Sequence, residues 1–140
     1  MSNQEVNKHP VSALPTFEEL VTGMLDEDRM QAENFQQARE KPAVLDDAIV
    51  TRALSMYKER ETFMPFYEEH FDRWEKESKN PDILKRISEL RKKHEELKNL
   101  IQQILEDLDY IKDRTIDKVL NKSDFEIGRD FFMDLLNKDD

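Results

Sequence analysis

The 140-residue chain has no cysteine, only two glycines, three histidines and no apolar run near the roughly 20 residues that a membrane span needs. Without cysteine there is no disulfide, no thiolate metal site and no thiol nucleophile. Two glycines are too few for a phosphate-cradling loop, which needs residues without a side chain where backbone nears ligand, or for the tight turns of a multi-stranded sheet. The first fifteen residues lack the basic head and apolar stretch of a secretion signal, so a cytoplasmic protein is expected. Positive charge is also short, with 22 Lys and Arg against 32 Asp and Glu, for a formal charge of −10. A phosphate backbone or anionic membrane would be repelled over most of such a surface, so direct nucleic-acid or membrane binding is not expected.

What the sequence has is helical periodicity. Residues 1–15, with Pro10 and Pro15 and no apolar period, read as a flexible arm preceding one helical domain, 16–140. Thr16-Phe17-Glu18-Glu19 has the form of a capping box, in which the hydroxyl and the glutamate satisfy each other's backbone amides. It leads into Phe17, Leu20, Val21, Met24 and Leu25. Gly23 and the acidic run Asp26-Glu27-Asp28 are expected to weaken this first helix and break it before a second stretch carrying Met30, Phe35 and Ala38, within about 16–40. Lys41-Pro42 ends it, since the residue before proline leaves the α region.

A long helix over about 43–78 follows, its stripe running Leu45, Ile49, Ala53, Met56, Phe63, Tyr67, His70 and Trp74, broadened by Tyr57, Met64, Phe66 and Phe71. Pro65 should kink it, because a proline ring removes one amide and clashes with the carbonyl of Glu61. Asn80-Pro81-Asp82 is a strong helix start, combining an N-cap side chain, a first-turn proline and an acid at the positive end of the dipole. The next helix, about 81–118, carries the clearest pattern in the chain: Ile87, Leu90, His94, Leu97, Ile101, Ile104, Leu108 and Ile111 at alternating steps of four and three. Ser123-Asp124-Phe125-Glu126 opens a last helix, about 124–137.

A parallel coiled-coil dimer would set Arg86 against Arg91 and Lys93 against Lys98, so the preceding helix is the better partner for this seam. The expected fold is all-α: an elongated antiparallel hairpin with shorter N-terminal and C-terminal helices completing a bundle. Equal rise on both arms pairs residue numbers summing to about 159, placing Arg91 near Glu68 and Lys98 near Glu61. The basic stretch Lys85–Lys98 then faces an acid-rich arm.

Catalytic spacing is missing. Neither His70 nor His94 has a glutamate three residues before it, and no His-x-x-x-His occurs, so no metal, cofactor or enzymatic activity is expected. His94, at a core position, is expected to fix register by donating to the Glu61 carbonyl near Pro65, or alternatively to act as a pH switch. The seam residues Ile87 to Ile111 are the candidate helix interface, and Phe66, Trp74, Phe132 and Leu136 the candidate partner anchors. The expected function is a non-enzymatic protein-interaction or regulatory module that self-associates through apolar helix faces. The alternative is an acidic inhibitor that mimics nucleic acid and blocks a DNA- or RNA-binding protein.

Overall fold

The computed structural model describes residues 9–120 and 124–138. They form five α-helices, α1 (Leu14–Ala38), α2 (Asp47–Glu77), α3 (Pro81–Ile111), α4 (Ile116–Leu120) and α5 (Asp124–Lys138), with 3-10 turns at Val11–Ala13 and Pro42–Val44. No strand occurs among the described residues.

The helix ends follow their local chemistry. Asp46 accepts from the Ile49 amide at 2.8 Å and starts α2; Asn80 accepts from the Asp82 amide at 2.9 Å and starts α3, with Pro81 in the first turn. The Thr16 capping box is not used. Instead α1 begins two residues earlier, following directly on the 3-10 turn, because Pro15 suits a first turn whose amides are unpaired anyway. Neither Gly23 nor the acidic run interrupts α1, which is one 25-residue helix. A glycine there costs about 1 kcal/mol, small beside the burial of Leu14, Phe17, Val21, Leu25 and Ala32 along one face. Helix α2 likewise continues through Pro65. That proline and Glu61 are both exposed, so the carbonyl deprived of its amide partner is not locked into dry core.

Cross-helix ion pairs give the topology. Glu18–Arg86, Arg29–Glu96 and Arg39–Asp107 link α1 to α3 between residues 67 or 68 positions apart, so these helices run parallel. Asp28 meets Tyr57 and Arg60, while Phe17 packs on Tyr67 and Trp74, so α1 runs antiparallel to α2. With α2 and α3 joined by the tight turn Ser78–Asn80, the result is an up-down-up three-helix bundle. The first helix therefore lies along the hairpin and packs against both of its arms.

Every residue of the α3 seam is buried within the chain. On α2 the buried set is Val50, Tyr57, Met64, His70, Phe71 and Trp74, so over its first half the helix buries the side that broadened the expected stripe; Ile49, Met56 and Phe63 are exposed. Adjacent apolar pairs, Met56-Tyr57 and Phe63-Met64, let either face serve on sequence grounds, and contact with two neighbours selects one.

The hairpin register also differs from equal-rise numbering. Arg91 pairs with Asp72 and Glu75, and Lys98 with Glu68 at 3.3 Å, one to two helical turns beyond the expected Glu68 and Glu61. Side chains on a helix lean toward its N-terminus, and in an antiparallel pair both leans raise the sum of the paired numbers.

The open end of the bundle is tied by polar contacts. Thr115, fully buried, donates to Asp47 Oδ1 at 2.6 Å; Asp117 Oδ2 accepts from the Asp47 amide at 2.6 Å; the Ile116 amide donates to the Leu45 carbonyl at 2.9 Å. Thr115 and Lys118 draw the Asp47 carboxyl below its ordinary range. The seam does not continue from α3 into α4, because the chain turns at Lys112–Arg114 and leaves Val119 and Leu120 exposed.

Candidate functional site

The eight seam residues proposed as an interface do meet other helices, but those of their own chain: α1 lies along one side of α3 and α2 along another. Of the four candidate anchors, Trp74 is fully buried and Phe66 half-buried in an aromatic cluster, so Trp74 offers nothing to a partner. The other two, Phe132 and Leu136, stand exposed on α5 at 60% and 49%.

Besides Thr115, four polar side chains are buried in the core. Asp28, with no solvent exposure, takes Arg60 at 2.5 Å and the Tyr57 hydroxyl at 3.3 Å on the same oxygen, and its second oxygen is buried without a partner. Burial raises its pKa, which the Arg60 and Tyr57 hydrogen bonds oppose, and burial likewise pushes the Tyr57 phenol up, helped by the Asp28 charge. Asp107 repeats the arrangement at the α1–α3 junction, with Arg39 at 3.0 Å on one oxygen and the other orphaned.

His94 lies between the rings of Tyr67 and Phe71, with Nδ1 4.0 Å from Glu68 and Nε2 buried and unpartnered. The expected bond to the Glu61 carbonyl is not made. Instead the shifted register brings Glu68 alongside, and burial lowers the imidazole pKa against the pull of that carboxylate.

His70 is the fourth group, and both of its nitrogens are used. Nδ1 lies 2.8 Å from the Phe66 carbonyl, and Nε2 accepts from the His9 amide at 3.1 Å. The carbonyl of the same His9 accepts from Trp74 Nε1 at 2.9 Å and from the Arg73 guanidinium. Its ring sits 6.1 Å from Phe17, 6.3 Å from Phe66 and 5.5 Å from His70. His9, assigned to a free arm by sequence, is therefore pinned through its main chain at the mouth of an aromatic cleft between α1 and α2. No sequence signal could have found this contact, because the arm contributes backbone atoms that any residue would supply.

The carboxylates of Asp28 and Asp107 are sealed against their arginines, and no cluster of three His, Cys, Asp or Glu able to hold a metal is found among the described residues. No described helix is long and apolar enough to cross a membrane. The molecule belongs to the class of all-α helical bundles. No protein-family model, curated protein or solved structure matches the chain.

Proposed function

We propose that the protein is a non-enzymatic interaction or regulatory module whose contact surface is the apolar side of α5, while the α3 seam serves only the fold. The observation that carries this reading is the exposure of Phe131, Phe132, Leu135 and Leu136, at 66%, 60%, 45% and 49%, on one short helix. Val119, Leu120 and Met133 add to the apolar surface at this end of the chain. Monomers seldom leave such a patch bare, and a 15-residue helix is marginal in water unless a partner covers its apolar side. The partner is a second copy or another protein.

The mimicry alternative needs free acids aligned on one face. Against it, Glu18, Glu68, Asp72, Glu75 and Glu96 are held in ion pairs between helices, and Asp28 and Asp107 are buried.

A double variant, Phe132→Asp with Leu136→Asp, tests the reading. Its helical circular dichroism and melting should match those of the unaltered chain, while its mass by light scattering falls to the monomer or it no longer captures the protein that the unaltered chain retains from host extract. Unchanged mass together with unchanged capture would remove α5 as the contact surface.

A further inference from the structure

His70 can hold His9 only in one protonation state. With Nδ1 facing a carbonyl, that nitrogen must carry the proton, which leaves Nε2 as the lone-pair acceptor that meets the His9 amide. We propose that His70 is a proton-operated latch for the main chain at His9, closed when the imidazole is neutral and opened when a second proton converts Nε2 from acceptor to donor. Two N–H groups then point at each other, the His9 amide loses its acceptor, and the main chain at His9 leaves the cleft formed by Phe17, Phe66 and Trp74. His9 is an exposed residue, so its amide, once it faces a second donor, is better satisfied by water outside the cleft than by staying against His70.

The surroundings of His70 favour release over accommodation of the new charge. On α2, Arg73 is bound to the His9 carbonyl and lies 3.8 Å from Glu77, and the adjoining Glu69 is exposed. From α1 the ring meets Phe17, and the neighbouring Glu18 is turned to Arg86 of α3. The arm itself brings the His9 imidazole, which adds no carboxylate beside the ring. No carboxylate among the described residues stands within 4.0 Å of His70 to neutralise it. His94, by contrast, has Glu68 at that distance and holds no segment of chain.

Trp74 is the single tryptophan, and its indole donates to the same His9 carbonyl, so the molecule carries its own reporter. The experiment follows Trp emission and amide hydrogen exchange at His9 in the full chain between about pH 8 and pH 5, the interval over which histidine changes charge. On acidification the emission should move to longer wavelength and the His9 amide should lose roughly tenfold or more of its protection beyond the intrinsic pH dependence of exchange, with helical circular dichroism unchanged. In His70→Gln, whose amide oxygen can accept without titrating, both readouts should stay level across the range. In His9→Asn, which keeps the main-chain contacts, and in His94→Leu the step should persist. A protection factor at His9 independent of pH in the unaltered chain, or a step that survives in His70→Gln, would overturn the proposal.

Discussion

Asp28 and Arg29 are neighbours on α1, yet they sit at two different junctions and in two different physical regimes. Asp28 points toward α2, has no solvent exposure and pairs with Arg60, itself only 20% exposed. Arg29 turns toward α3, where it makes a two-pronged contact with Glu96 at 3.0 and 2.8 Å, and both side chains stay about half exposed. The chemistry of the two pairs is the same. The surroundings decide their worth: in dry core a lost partner strands a charge, whereas at the surface water replaces it.

The contrast is broken most sharply by removing one cation at a time. Arg60→Ala leaves the Asp28 carboxylate with Tyr57 alone and is expected to cost about 3–5 kcal/mol, the range for unpairing a buried charge. Urea denaturation followed by circular dichroism measures it. A loss under about 1 kcal/mol would place Asp28 in a wetter setting than its burial implies and would erase the difference between the junctions.

Leu97→Ala probes the apolar seam of α3, which is buried whereas the Arg29–Glu96 pair on the α1–α3 side is about half exposed. Leu97 has no exposure, and truncating such a leucine typically costs about 2–5 kcal/mol through lost transfer energy and the cavity left behind. The expected outcome is that the buried seam contributes more here than the half-exposed Arg29–Glu96 pair does. A midpoint shift no larger than that of a surface substitution would invert that assignment.

Protonation sharpens the same distinction at the α2–α3 junction. Burial holds the His94 pKa below its ordinary 6.5, with Glu68 opposing, so near and below that value the unfolded chain takes up a proton that the folded chain refuses. Stability therefore declines as pH falls through 6.5, and the His94 contribution is fully present only above it. His94→Leu, which also removes a buried nitrogen without a partner, should melt at least as high as the unaltered chain near pH 7.5 and lose less on going to pH 5.5. An equal decline in both proteins would show that the acid sensitivity arises elsewhere.

The parts of this architecture visible in the amino-acid order are those written by periodicity and caps. The α3 seam from Ile87 to Ile111 and the Asn80-Pro81 turn read directly, because a four-three repeat and a capped proline have one structural meaning each. The course of α1 did not. A glycine and three acids weaken local propensity by about 1 kcal/mol or less per residue, and burial along 25 residues overrides that; one of the supposed breakers, Asp28, is itself core. The aromatic cleft was legible only as composition: Phe66, His70 and Trp74 fall on neighbouring turns, but nothing in their spacing says that His9 closes over them.

The smallest effect belongs to the exposed half of the comparison and is the strictest test of it. Arg29→Ala removes the contact with Glu96 and a longer 3.7 Å approach to Asp26, leaving both carboxylates in water. The expected cost is about 0.2–1 kcal/mol, shrinking further as salt screens the charges. Repeating the measurement with Glu96→Ala and with both changes together isolates the pair, since atoms lost from either side chain cancel in the cycle. A coupling above about 2 kcal/mol would mean that the α1–α3 surface holds its charges as tightly as the core does, and that half-exposure is no guide to electrostatic strength in this bundle.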